Sequence, residues 1–422
     1  MPSYFTSAPG KVILFGEHAV VYGKVATAGS LGLRSYCLIQ DRTDGAISVN
    51  LPDVQLERTW RSTDVPRQAR GANVDSPLLY SYGIGYPYPP ATMDNTVLDQ
   101  LATFVDLAAY TNRSQATIAL LYLHSYLTSD EIVIQGYDFS VRSNLPVGAG
   151  LGSSASYCVC LATALLKLNG HLDTGLLDAA AQRDLINQWA FQAEKVIHGN
   201  PSGIDNTVST LGGAVMFKKG EKIEPLPGTN KASLSLIRFR FQSLRFLLTN
   251  TRVPRETQVQ VANVRKLHDK FPSVVNPVLD AIHEISVSCK EMFGQDGLDR
   301  ERLLSRFGEL VDVNHGLLAA LGVSHPALEK VREISAKIGL KSKLTGAGGG
   351  GCALTLIRDD VSPETIAVVK QLLEAEGFQC METQVGGPGA GVLTLDQATP
   401  VTEFLAHDRA YFDATQNWAY FA

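Results

Sequence analysis

The 422-residue sequence holds no C-x-x-C pair; its six cysteines are scattered at 37, 158, 160, 289, 352 and 380. That spacing points to neither a thiolate zinc site nor a disulfide framework, so a reducing compartment is expected. Long runs of lysine and arginine are also missing and the net charge is −5, which leaves no footprint for nucleic acid or an anionic membrane surface. No apolar stretch approaches the roughly 18 residues that cross a bilayer, and Met1 to Gly16 lacks the basic and apolar regions of a signal peptide. The closing residues Trp418-Ala419-Tyr420-Phe421-Ala422 carry no prenylation cysteine and no Ser-Lys-Leu address. A cytosolic location is the expectation. Neither a Walker A string nor a protein-kinase H-R-D string occurs.

What is present is a globular mix, with 45% hydrophobic and 19% charged residues, long enough for two lobes that each bury a core. Strands are predicted at Lys11–Phe15, Ser35–Gln40, Ala46–Leu51 and Ile132–Arg142, where β-branched and aromatic residues cluster. From about Pro52 to Pro90, proline, glycine and tyrosine accumulate without an apolar period, which predicts an irregular insertion. Helical spacing covers Leu98–Leu127, Ser154–Leu168, Asp178–His198, Pro277–Phe293, Leu303–Leu321 and Ser362–Glu376. Strands return at Ala353–Ile357 and Gln379–Gln384. This order predicts an α+β chain with no repeat period.

The strongest local signal runs from Leu145 through Pro146, Val147, Gly148, Ala149, Gly150, Leu151, Gly152, Ser153 and Ser154 to Ala155. It sits between a strand pattern and a helix pattern. Three alternating glycines let backbone approach a ligand closely, and the following helix offers free N–H groups and a positive dipole end to an anion. Ser153 and Ser154 add hydroxyls where a phosphate oxygen or a magnesium ion would lie. The competing reading is a glycine-rich turn with a serine cap and no ligand.

These residues resemble the P-x-x-x-G-L-G-S-S-A signature of the GHMP kinases. Two further stretches match motifs of that family: Ser7-Ala8-Pro9-Gly10-Lys11-Val12-Ile13-Leu14 with Gly16-Glu17-His18, and Lys343-Leu344-Thr345-Gly346-Ala347-Gly348-Gly349-Gly350-Gly351-Cys352. The last also satisfies the dinucleotide string G-x-G-x-x-G, which keeps a dehydrogenase in view. That string should open a helix, whereas the strand-like Ala353-Leu354-Thr355-Leu356 follows it here. Within the family, the segment from Glu194 to Asn206 and the string Thr249-Asn250-Thr251-Arg252-Val253-Pro254-Arg255 are similar to mevalonate kinases, of the fungal type. Ser156 departs from the second alanine that many members carry, and a serine should still fit.

The resemblance implies a two-lobed fold, a ribosomal-protein-S5-like lobe over residues 1–225 and a ferredoxin-like lobe over 226–422. It implies ATP and magnesium as cofactors and transfer of the γ-phosphate to the primary hydroxyl of mevalonate. Asp205 would be the catalytic base and Lys11 the stabilising cation; an Asx turn and a surface lysine are the plainer readings of the two. Residues Pro146, Gly148 to Ser154 would bind the nucleotide, with Ser154 and Glu194 as magnesium ligands. On a helix, Ala190 and Ile197 fall within about 60° to one side of Glu194 and Phe191 to the other. A carboxylate among apolar neighbours needs a partner, either a metal or a lysine or arginine. Glu17, His18, Tyr157, Thr251, Gly346, Ala347 and Gly348 would face the substrate, Tyr157 being equally readable as a core tyrosine. His315 and His325 read as structural. Feedback inhibition by farnesyl or geranyl diphosphate and a homodimer follow from the resemblance alone. A phosphomevalonate kinase, another GHMP kinase, or a sensor that has lost catalysis are the alternatives.

Overall fold

Apolar residues at every second position make Ile47, Val49 and Leu51 the buried face of one strand, and the same rule sets most of the sheet. The computed structural model describes residues 3–67, 88–105, 111–128, 130–146, 148–173, 175, 177–218, 224–225, 242–254, 256–295 and 297–421. In chain order its first half contains β1 (Ser3–Phe15), β2 (Val25–Asp41), β3 (Ala46–Leu51), β4 (Leu56–Arg61), α1 (Asn95–Val105), α2 (Asn112–Leu127), α3 (Asp130–Gln135), β5 (Gly136–Ser143), α4 (Ser153–Leu168), α5 (Ala179–His198), α6 (Ile204–Leu211), β6 (Ala214–Lys218) and β7 (Glu224–Pro225). There follow β8 (Leu244–Asn250), α7 (Thr257–Lys270), α8 (Pro272–Gly294), α9 (Arg300–Ala320), α10 (Pro326–Ala336), β9 (Lys341–Leu344), β10 (Cys352–Ile357), α11 (Pro363–Ala375), β11 (Gln379–Val385), β12 (Gly391–Thr394), α12 (Val401–Ala406), α13 (Arg409–Ala414) and β13 (Ala419–Tyr420).

The fold is α+β, as expected. Strand β2 is its hub: it runs antiparallel to β1, β5 and β6, and meets β11 through the pair Leu31 and Val385. In the second lobe β11, β8, β10 and β9 lie antiparallel in that order. Helix α4 lies under the first lobe, and 12 of its 16 residues are buried. Small residues let it approach the sheet closely. Ser156 is one of them: its hydroxyl donates to the Ala8 carbonyl at 2.7 Å and accepts from the Ser35 N–H at 3.2 Å, so the departure from alanine is fully accommodated. Helix α5 begins where the Asp178 carboxylate accepts the Ala181 N–H at 2.8 Å.

Several sequence expectations change. Strand β5 starts at Gly136, because residues 130–135 form the short helix α3. The break falls there because Gly136 has φ 78° and a side chain would strike the Ala46 backbone at 2.1 Å. The span expected as one helix from Leu98 contains two, α2 starting afresh at a Thr111–Ser114 capping box. Part of the expected irregular insertion is regular, since β4 pairs with β3 across a turn at Gln55 with φ 53°; residues 68–87 lie outside the described residues.

The expected boundary at 225/226 falls at the end of β7, next to residues outside the described set. The end of the 226–422 stretch does not stay with the second lobe: β12 pairs with β1, and Phe404 and Phe412 pack on Phe5, Tyr36 and Leu38. Phe412 stacks on Tyr36 with centroids 3.9 Å apart. Phe412→Ala is expected to cost about 3 kcal/mol in urea denaturation, the ordinary loss for a buried phenylalanine. A loss below about 1 kcal/mol would show that this aromatic contact does not hold the tail to the first lobe.

Candidate active site

A bulge in β1 between Pro9 and Lys11 brings the first motif under the glycine loop. Gly10 is required at the crossing, since a side chain there would lie 2.4 Å from the Leu145 Cδ2 and 2.7 Å from the Leu151 carbonyl. The Lys11 N–H donates to that carbonyl at 2.7 Å. Gly148, Gly150 and Gly152 all have left-handed φ, 73°, 71° and 73°. No side chain caps α4, so the N–H groups of its first turn are offered to whatever lies before it.

Two other helices converge on this spot. Gly203, with φ 78°, starts α6 and sets Asp205 in its first turn. The Lys11 Nζ reaches the Asp205 Oδ1 at 2.9 Å; the lysine side chain is 10% exposed and the aspartate 34%, open enough to meet a ligand. From α5 comes Glu194, buried, with the Ser154 hydroxyl 3.5 Å from its Oε1. Burial chiefly, and then the Asp205 carboxylate, push Glu194 up to about 7, while Lys11 and the Ser154 hydroxyl pull it down. Among the described residues no lysine or arginine makes an ion pair with it within 4 Å, and Lys11 acts on it from farther away.

Ser154 and Asp205 line a cavity of about 600 Å³, with Lys11 and Glu194 in contact behind them. Its lining is mixed: Gly148, Gly150, Gly152, Ser153, Ser154 and Asp205 are polar, and Leu51, Val54 and Ile197 are apolar. The size and the mixed lining suit a nucleotide. A second cavity of about 500 Å³ lies between the lobes and the carboxyl-terminal segment, and contains none of these groups.

Of the expected nucleotide residues, Gly148, Gly150, Gly152, Ser153 and Ser154 line the cavity. Ala149 and Leu151 turn their side chains into the core instead, while Pro146 opens the loop by accepting the Ala149 N–H at 3.4 Å. Val147 and Arg255 lie outside the described residues. Tyr157 lines the cavity and donates to the Ala116 carbonyl at 2.9 Å, so it serves both readings.

The remaining expected substrate residues do not reach this cavity, because each is committed elsewhere. Glu17 is buried against Lys343 and accepts from Asn314 at 3.2 Å. His18 pairs through Nε2 with the Ala347 carbonyl at 2.8 Å, and Thr251 donates to the Gly351 carbonyl at 2.7 Å. Gly346, Ala347 and Gly348 lie in the β9–β10 loop, which enters a strand and not a helix; this removes the dinucleotide reading. A side chain at Gly348 would stand 2.0 Å from the Val323 carbonyl, so this glycine serves packing. His315 bonds Glu329 and the Leu344 N–H, and His325 caps α10, both structural as read.

Polar lining residues without a role expected from the sequence include Asp53, Ser143 and His198. Asp53 and Ser143 meet at the cavity wall, the Ser143 N–H donating to the Asp53 Oδ2 at 3.1 Å, and burial raises the Asp53 carboxyl. His198 lies with Nε2 2.9 Å from the Ser154 hydroxyl. The Glu194–Asn206 string contained His198, but Asp53 lay in a stretch with no readable period.

Comparison with known proteins accords with this arrangement. The GHMP kinases N terminal domain matches residues 114–213, and the GHMP kinases C terminal domain matches 297–373. The mevalonate kinase of Mus musculus is 41% identical over 91% of this chain and 93% of its own. That of Candida albicans is 40% identical, covering 95% and 93%. The crystal structure of L. major mevalonate kinase in complex with R-mevalonate shares the fold with a TM-score of 0.62, at 22% identity over 91% of this chain and 96% of that one. With identity of this order sustained along nearly the whole length, the chain belongs to the mevalonate kinase family of the GHMP kinases.

Proposed function

We propose that the protein transfers the γ-phosphoryl group of ATP to the primary hydroxyl of mevalonate, giving 5-phosphomevalonate on the route to isoprenoids and sterols. The observation that carries this reading is the Lys11–Asp205 pair, 2.9 Å apart next to the glycine loop, with Asp205 lining the cavity. The triphosphate lies against the loop and the first turn of α4, with adenosine toward Leu51, Val54 and Ile197. Asp205 then holds the attacking hydroxyl in line or accepts its proton, and Lys11 stabilises the charge that builds on the transferring group. A coupled ADP-release assay across mevalonate, phosphomevalonate, galactose and homoserine tests the substrate; turnover fastest on any other member of that panel would overturn the reading. On mevalonate, Asp205→Asn should lower kcat at least ~10²-fold and leave ATP affinity within ~3-fold. An unchanged kcat would return Asp205 to a purely structural turn.

Magnesium fits the same place. Ser154 and Glu194 are the groups that would hold it, a hydroxyl beside a buried carboxylate with no lysine or arginine in direct contact among the described residues. Held there, magnesium would supply positive charge that offsets part of the phosphate charge during transfer. The ligand-free protein gives a test that does not depend on activity. Glu194 is raised from 4.5 to about 7 on folding. The folded state therefore holds the extra proton, and stability present below about pH 4.5 is lost as pH rises through about 7, by on the order of 3 kcal/mol. Glu194→Gln should then raise Tm at pH 8 but not at pH 5, and should abolish the Tm gain that magnesium with ATP gives the wild type. Parallel pH curves and equal magnesium gains would remove Glu194 from the metal site.

Prenyl diphosphates share the phosphate chemistry of the loop, and the apolar lining residues Leu51, Val54 and Ile197 offer surface to an isoprenoid chain at roughly 25 cal/mol per Å² buried. Farnesyl diphosphate should compete with ATP and not with mevalonate, while isopentenyl diphosphate, with a far shorter tail, should be much weaker. Inhibition that persists at saturating ATP would place the lipid at a separate site. A homodimer and a cytosolic location complete the proposal, the latter supported by six free, buried cysteines.

A further inference from the structure

The motif after β1 does not end at the active site. Gly16 has φ 97° and no room for a side chain, which would lie 2.3 Å from the Ala26 Cα. The next two residues are thereby turned into the second lobe. Glu17 meets Lys343 of β9 through Oε1, and both side chains are only 1% exposed. Its Oε2 accepts from the Asn314 amide of α9 at 3.2 Å. The Lys343 ammonium also donates to the Leu344 carbonyl at 2.7 Å and stands 5.8 Å from the Phe15 ring centroid. Two lighter contacts flank the pair: His18 to the Ala347 carbonyl at 2.8 Å, and the Thr345 hydroxyl to the Ile13 carbonyl at 2.9 Å.

A buried ion pair is a poor choice for adhesion alone, because two apolar side chains would hold as well without the loss of hydration. What it adds is direction. Each carboxylate oxygen of Glu17 has its own donor on a different element, so the second lobe is fixed in rotation as well as distance. Asn314 keeps its own carbonyl oxygen buried without a hydrogen-bond partner, a cost that its bond to Glu17 offsets.

The contacts lead from the pair toward the cavity. Lys343 leads into the glycine loop at 346–351, whose Gly351 N–H donates to the Val253 carbonyl at 3.1 Å and whose Gly351 carbonyl accepts from Thr251. Thr251 and Val253 are held there shortly before α7, and Thr257, the first residue of α7, lines the same cavity as Asp205. At the other end of β1, Lys11 holds Asp205. We propose that the Glu17–Lys343 pair is a positioning device, which sets the second lobe's wall of the site against Lys11 and Asp205 without touching the substrate itself. This rests on the phosphoryl-transfer reading above.

Three variants test it: Glu17→Gln, Lys343→Met, and the two combined. They are assayed on mevalonate, or on whichever alcohol of the panel the wild type phosphorylates best, so that a change of substrate overturns the functional reading and not this one. Each single change leaves one charge buried and unpaired; kcat/KM for the alcohol should fall on the order of 10²-fold with a raised KM, while ATP affinity stays within ~3-fold. The double variant buries no charge and should recover at least ~10-fold over either single change. If the double variant is no better than Glu17→Gln, Glu17 acts on the substrate directly and the proposal fails. It fails also if KM is unchanged and only the folded fraction drops, because that is the mark of a purely structural contact. Should the single variants not fold, Asn314→Ala removes one directing bond and leaves the ion pair; an alcohol KM equal to that of the wild type in that variant would overturn the proposal, and a raised KM with unchanged ATP affinity would support it.

Discussion

The contact between Lys11 and Asp205 depends on three backbone devices: the β1 bulge at Gly10, the left-handed Gly152 above it, and the left-handed Gly203 that starts α6. A side chain at Gly152 would lie 3.2 Å from the Lys11 nitrogen and 3.8 Å from the Asp205 Oδ2, so the loop can cross over the pair only with glycine there. The pair in turn sets the electrostatics around it. Asp205 pushes the Glu194 carboxyl up and Lys11 pulls it down, while burial dominates both. A cation and two carboxylates thus converge beside a cavity of mixed polar and apolar lining, a charge pattern suited to phosphoryl transfer.

The two glycine-rich segments do different physical work despite their similar composition. Around Gly148 none of the described residues lies within 4 Å of where a side chain would be, so that loop keeps its surface for a ligand. Around Gly348, Gly349 and Gly350 the space is filled by Val323, Gln260 and Val253. The first loop is a cradle and the second a joint between lobes. Composition cannot tell them apart; the neighbours do.

That contrast explains how far the sequence was readable. The glycine loop and the start of α4 could be read from local spacing, since each depends on residues close in the chain; the roles of Asp205, Ser154 and Glu194 came from the resemblance to the GHMP kinases, because Ser154 and Glu194 stand 40 residues apart. Strand β3 was readable to its ends because Ile47, Val49 and Leu51 alternate cleanly. Long-range commitments were not readable. Glu17 looks like a free carboxylate until Lys343, 326 residues away, is brought against it. Asp53 looked like part of an irregular run because the β3–β4 turn depends on a left-handed Gln55, which no local signal marks. The tail after residue 391 follows the aromatic faces of Phe5 and Tyr36 back to the first lobe, a choice made by packing and invisible to periodicity.

The central claim is that Lys11, held by Asp205 beneath the glycine loop, acts on the transferring phosphoryl group. A rapid-quench measurement of a single turnover, with radiolabelled ATP and mevalonate both saturating, tests it most directly in Lys11→Met. The account predicts a phosphoryl-transfer rate at least ~10²-fold below that of the wild type, because a cation acting on developing charge is lost. A single-turnover rate equal to that of the wild type would contradict it.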